Sequence, residues 1–246
     1  MKSEQPIDQE RFRRLLRLSG NAVLVGGQSL AVWAHHFGIE PQYPLVPVVS
    51  YDVDFFAGAQ VAKEMAARLG GKLFLPEPDD HVKVNSAVVT FGSEEKYERV
   101  DFLANVAGMD GKKIRARAIE VEAWGAKFRV MHPVDCLESR LQNLELLPNK
   151  RTDVGVAQAK LAIGIVRRLI EDVLEKGEER HALKLAEHVG FLSRSRAAAN
   201  AYGSYEIDVL EAIPTDVMPQ EFNEKRWPQL QKYASERRPK TRKGSK

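Results

Sequence analysis

The chain has 246 residues and a mass of 27.6 kDa, is 43% apolar and carries a formal net charge of +3. Length and apolar content suffice to bury a core, as one large domain or two smaller ones, while a lone Cys136 excludes an intramolecular disulfide framework. No apolar run approaches the roughly 18 residues that cross a bilayer, and the opening MKSEQPIDQERF lacks the charged start and apolar run of a leader, so a cytoplasmic protein with no membrane partner is expected.

The first half alternates strands and helices. AVLVGG (22–27) is a short apolar run ending in two glycines, and QSLAVWAHHF after it sets Leu30, Trp33 and Phe37 at spacings of three and four, as an amphipathic helix does. Next comes IEPQYPLVPVV, where Pro41, Pro44 and Pro47 predict a rigid, extended loop, whether a lid, an acceptor dock or a plain insertion. YDVDFF (51–56), KVNSAVVTF (83–91) and YERVDFLANV (97–106) read as strands, and AQVAKEMAARLG (59–70) as a helix.

From Pro133 the periodicity turns helical: Leu137, Leu141 and Leu144 define one apolar face, Leu161, Ile165, Leu169 and Val173 another. Gly177 and Gly190 are expected at helix ends. The pattern predicts an α/β (α+β) architecture, with an α/β domain over 1–130 and a helical domain over 131–235. The last stretch, ERRPKTRKGSK (236–246), has six Lys or Arg against one Glu; its +5, set against +3 overall, leaves −2 for the rest. This tail has nothing apolar to bury and is expected to be disordered, either a handle on nucleic-acid phosphates or a solubilising end.

Chemistry concentrates in the first half. Two glycines between a strand and a helix let backbone amides approach a ligand, and the helix start points its unsatisfied N–H groups the same way, an arrangement that suits a phosphate as well as it suits a plain tight turn. In SYDVDFF, Asp52 and Asp54 are two apart on a strand and so project from one face, with Val53 and Phe55 on the other. Such a pair fits a magnesium or manganese ion held by carboxylate oxygens; the plain alternative is a repeated Asx turn. Asp101 in YERVDFL likewise faces away from Val100 and Phe102. Brought beside the first pair by an adjacent strand, it completes a set of three carboxylates able to hold two metal ions around an in-line phosphoryl transfer, or takes the proton of the attacking hydroxyl. Its plain alternative is a surface pair with Arg99.

The order VGG (25–27), amphipathic helix, S-x-D-x-D-F-F (50–56) and V-D-F-L (100–103) resembles the DNA polymerase β-like nucleotidyltransferase superfamily, and within it most resembles the AbiEii-type enzymes, some of them toxins of toxin–antitoxin systems. The segment MHPVDCLESRLQNLELLPNKRTDVG (131–155) adds to the likeness, since in those proteins a similar helix begins after a Pro, carries a basic residue facing the nucleotide and leads to a basic-x-x-Asp element. The resemblance implies a mixed-sheet nucleotidyltransferase domain followed by a helical domain, and an enzyme moving a nucleoside monophosphate from a nucleoside triphosphate to an acceptor hydroxyl. That acceptor would be RNA, such as a tRNA 3′ end, or a protein side chain; a cognate antitoxin is a further implied partner. Residue by residue, it implies that Gly26 and Gly27 cradle the triphosphate with Ser29 as an additional phosphate contact, that Asp52 and Asp54 bind Mg2+ or Mn2+, and that Asp101 serves as metal ligand or base. It also places Arg140 where the family usually has Lys, facing the nucleotide, and makes Asp153 the later acid.

The chain departs from the family in having Gly27 where many members have Ser, and its motifs span roughly residues 22 to 155. His35 and His36 adjoin on a helix about 100° apart, poor geometry for one metal. His81 and Lys83 are weaker site candidates. Two rival functions remain: a glycosyltransferase using the DxD, which needs neither the glycines nor Asp101, and a catalytically silent member of the fold that binds nucleic acid or a partner protein.

Overall fold

Local signals start and stop the first elements. The structure is a computed structural model describing residues 3–40, 52–76, 84–93 and 95–238, without the side chains of Ser3, Glu4 and Asp52. The proline-rich segment from Pro41, His81, Lys83 and the tail from 239 onward lie outside the described residues. After β1 (Ser3–Glu4), Asp8 accepts a hydrogen bond from the Arg11 N–H at 2.7 Å and so caps α1 (Gln9–Leu18), whose Leu15 and Leu16 are buried. β2 is only Val23–Leu24, because Gly26, at φ +69°, already turns the chain into α2 (Gly26–His36). The two glycines thus open the helix instead of closing the strand.

β3 (Asp52–Phe56) leads to α3 (Ala59–Leu69), which ends on Gly70 in the left-handed region. Then come β4 (Lys72–Phe74), β5 (Asn85–Gly92), β6 (Lys96–Leu103), the short α4 (Gly111–Arg117), β7 (Ile119–Ala123), β8 (Ala126–Val130) and α5 (Pro133–Leu146). Among the described residues these strands form one mixed sheet of eight, ordered β4-β5-β6-β3-β2-β8-β7, with β1 pairing in parallel to β6. The β3–β6 and β2–β8 pairs are parallel, the other pairs on that path antiparallel.

Alternation separates the two faces of the sheet. Ala87, Val89 and Phe91 of β5, Val100 and Phe102 of β6, and Val53 and Phe55 of β3 are all buried on one face, where Phe55 and Phe102 stack with ring centroids 5.8 Å apart. Arg11 of α1 lies over the Phe91 ring and Gly71, just past α3, abuts Val89 and Phe91, so both helices approach that side. Each fully buried aromatic or aliphatic side chain there contributes about 1.5–3 kcal/mol. The opposite face carries the acids.

By packing the chain divides into two compact units, residues 1–33 with 41–136, and residues 34–40 with 137–246. The second is helical: the C-terminal part of α5, α6 (Asp153–Glu175), α7 (Glu179–Leu192), α8 (Arg196–Tyr205) and α9 (Trp227–Arg237), with short 3-10 turns between. An α/β sheet unit with C-terminal helices is therefore the architecture, in line with the α/β reading of the sequence. Leu137, Leu141 and Leu144 are buried as their spacing predicts, and Gly177, at φ +76°, follows α6.

Three expectations need correction. The buried stripe of α6 runs through Ala159, Ala162, Ile163, Val166, Ile170 and Val173, with Ile165 also buried but Leu161 and Leu169 only half-buried. Gly190 is no helix end; it is buried within α7, where a Cβ would come within 2.6 Å of the Leu230 side chain of α9. Glu236 and Arg237, read as tail, belong to α9.

Two glycines inside helices of the second unit should respond oppositely to substitution. Gly164 has no heavy atom within 4 Å of a built Cβ, so Gly164→Ala should stabilise by about 0.5–1 kcal/mol through helix propensity alone. Gly190→Ala must displace the buried Leu230 side chain and should cost about 1–3 kcal/mol. Thermal melts check both, since about 1 kcal/mol moves Tm by about 2–4 °C in a chain of this size.

Candidate functional site

The parallel pairing of β3 with β6 makes Asp54 and Asp101 direct register partners, and Asp52 the partner of Arg99. Partners on neighbouring strands share a face, so Asp54 and Asp101 meet on the side away from Phe55 and Phe102. The Asp52 backbone belongs to the same strand, two residues earlier; its side chain lies outside the described residues. Two carboxylates side by side repel, and Asp101 is met by cation and amide: Oδ1 accepts from Arg99 Nε and Nη2, both at 3.0 Å, and from Asn85 Nδ2 at 3.1 Å. Arg99 is thus an ion-pair partner of Asp101, with about a third of its side chain exposed.

The glycine turn meets one of these carboxylates, that of Asp54. Val25 N–H donates to the Asp54 carbonyl at 2.9 Å, which carries the chain past β3, and a Cβ on Gly26 would fall 2.2 Å from Asp54 Oδ2. Only a glycine fits there, for two reasons that coincide: its φ of +69° and the carboxylate against its Cα. Gly26 and Gly27 are half-exposed at the first turn of α2. Ser29 lies deeper, 1% exposed, with its hydroxyl donating to the Gly26 carbonyl at 2.8 Å and 3.4 Å from Cys136 Sγ. In this structure that hydroxyl supports the turn from behind.

A second polar cluster, which the sequence did not single out, sits where β8 passes into α5. Asp135 is 2% exposed and pairs with Arg117 Nη1 at 3.2 Å. His132 Nδ1 accepts the Val134 N–H at 3.1 Å and lies 3.4 Å from Arg117 Nη2, so Nδ1 carries no proton. His132 therefore caps α5 and Arg117 ties the end of α4 to that cap. The only sequence signal was Pro133 followed by an acid in the first turn, the ordinary mark of a helix start.

Arg140 and Asp153 belong to the helical unit. Arg140 is 9% exposed and donates to Gln158 Oε1 at 3.1 Å and Ser139 Oγ at 3.3 Å. Asp153 is exposed in the first turn of α6, next to the capping Thr152, while Arg151 holds the preceding loop by donating to the Leu144 and Glu145 carbonyls. The structure thus brings together Gly26, Gly27, Asp54 and Asp101 on the sheet unit.

Two adjacent carboxylates with hard oxygen donors, closed on one side by a glycine backbone, fit a divalent magnesium or manganese ion. Asp54 and Asp101 would hold it.

Gly26→Ala forces a Cβ into the space of Asp54 Oδ2 and an L-residue into the left-handed region. It should lower stability by about 1–3 kcal/mol and displace the Asp54 carboxylate, which a melt combined with a manganese titration of wild type and variant will show as a lower Tm and weaker ion binding.

A scan against models of known protein families and a search of curated proteins both return no match to this chain.

Proposed function

We propose that the chain is a metal-dependent nucleotidyltransferase that moves a nucleoside monophosphate from a nucleoside triphosphate to an acceptor hydroxyl and releases pyrophosphate. The observation that carries this reading is the register pairing of Asp54 with Asp101 beneath the Gly26 turn. Three features of a phosphoryl-transfer site coincide within a few residues: paired carboxylates, half-exposed amides at a helix start, and a backbone approach that excludes any side chain. The resemblance to AbiEii-type nucleotidyltransferases points to the same chemistry.

In this reading the amides of Gly26 and Gly27 receive the triphosphate, and Asp52, Asp54 and Asp101 hold the cation. The bound ion neutralises the phosphate charge that develops as the phosphoryl group passes to the acceptor. Arg99 and Asn85 fix the Asp101 carboxylate through Oδ1, which orients it without a proton to move. That arrangement supports Asp101 as a ligand more than as the base.

A second reading, a catalytically silent member of the fold, draws on the same Arg99 contact. An acid already paired with a guanidinium needs no metal to justify its place.

Asp54→Asn separates the two. It keeps shape and removes charge, so it should lower transfer by about a thousandfold, the scale of several kcal/mol lost from a metal-held transition state, while leaving Tm unchanged or higher because repulsion with Asp101 is relieved. The assay supplies each α-labelled triphosphate with magnesium or manganese and total cellular RNA, resolving RNA and protein bands. Wild-type activity in Asp54→Asn, or no label moved by wild type under any condition, would overturn the catalytic reading.

A further inference from the structure

The face of the sheet that carries Asp54 also carries cations. Phe56 lies two residues beyond Asp54 on β3, hence on the same face and about 7 Å along the strand. Its ring is covered by α4: a Cβ on Gly111 would fall 2.6 Å from the Phe56 ring tip, and the Arg115 guanidinium lies over the ring, 4.5 Å from its centroid. The helix cannot slide without opening that contact. Val23 pairs with both Phe56 and Arg129, which puts Arg129 on this face as well, and Arg129 Nη2 donates to the Arg115 carbonyl.

The sequence of α4 is GKKIRAR, anchored by a fully buried Ile114. Lys112, Lys113, Arg115 and Ala116 are exposed. The acid just before it, Asp110, is used to cap the Lys112 N–H at 2.9 Å. Among the described residues no carboxylate pairs with Lys112, Lys113 or Arg115, whereas Arg117 is committed to Asp135. Isolated exposed cations cost little in water, but clustering them on a seven-residue helix carries self-repulsion that a bound anion relieves.

We propose that the exposed cations of α4, with Arg129 beside them, bind the phosphodiester backbone of a nucleic-acid acceptor whose end reaches the Asp54–Asp101 face. What is presented there rests on the transferase reading; the binding itself does not. The helix extends about 10 Å, longer than one triphosphate needs, and a row of point charges suits a repeating polyanion. A protein acceptor would look for apolar anchors, and α4 exposes none larger than Ala116.

The test measures anisotropy of labelled single-stranded RNA and DNA of one sequence, about 20 nucleotides long, with the full chain between about 50 and 200 mM salt. Wild type is compared with Lys112→Gln/Lys113→Gln/Arg115→Gln and with the charge-keeping Lys112→Arg/Lys113→Arg. Both retain the basic tail, so any difference between them belongs to α4. The triple variant should bind about 10- to 100-fold more weakly at the lowest salt with a log–log salt slope shallower by about 2, three contacts at about 0.7 each, while the double Arg variant binds as wild type. RNA bound more tightly than DNA identifies the acceptor as RNA; the reverse identifies DNA. Equal affinity and slope in the triple variant, with an unchanged melt, overturns the proposal, as does transfer of label to protein at an unaltered rate in that variant. Asp54→Asn keeps the two hypotheses apart: binding that depends on α4 without any transfer removes the enzyme and leaves this surface standing.

Discussion

The proposed transfer chemistry depends on the register between β3 and β6. Because side chains alternate across a strand, a slip of one residue would send Asp101 to the buried face and Phe102 to the open one. Val53 and Phe55 on one strand and Val100 and Phe102 on the other are all fully buried, so the register is held by roughly 6–12 kcal/mol of apolar burial at about 1.5–3 kcal/mol each. Repulsion between two carboxylates at partner positions is worth about 1 kcal/mol or less. Burial wins by a wide margin, and the acids are placed together by a core that has no interest in them.

Arg99 tempers the cost. On β6 it sits two residues before Asp101, with its Cα in register with that of Asp52. A partly exposed ion pair of this kind contributes little to stability, about 0–1 kcal/mol. Its effect is geometric: with Asn85 it fixes the direction of the Asp101 carboxylate. Asn85 itself stands where β5 is irregular, at the register shift between Asn85 and Ala87, and bulges of this sort redirect a side chain toward a site.

The faces of β3 and β6, with Asp54 and Asp101 turned away from Val53, Phe55, Val100 and Phe102, were legible because period-two alternation leaves one reading for DVDFF and YERVDFL, whereas β1, β4, β7 and β8 were not read from the sequence. Which strands adjoin was not, since β3 pairs with β6 across an intervening helix and two strands, and nothing local encodes a parallel partner. The phase of α6 was misjudged for a related reason. DVGVAQAKLAIGIVRRLIEDVLE is apolar on most of its surface, so several i, i+4 stripes overlap and the packing partners choose among them; Leu161 and Leu169 lost to Ala162 and Val166. Gly190 shows the same limit, as a glycine before FLS reads as punctuation until a neighbouring helix is seen to need the space.

On this face Arg99 pairs with Asp101, whereas the exposed cations of α4 pair with no acid among the described residues, and Phe56 is what separates them from Asp54. Phe56 stands between Asp54 and α4, fully buried, with Gly111 closed down on its ring tip. Arg115 spends its planar face on that ring, an interaction of about 0.5–1 kcal/mol at an exposed position, in place of reaching a carboxylate. An aromatic spacer between negative and positive groups lets both persist within about two strand residues of each other. In the proposed function the acidic pair is left for a divalent ion and the cations of α4 for a polyanion. Such segregation suits the proposed function, in which a metal and a phosphate backbone are held side by side.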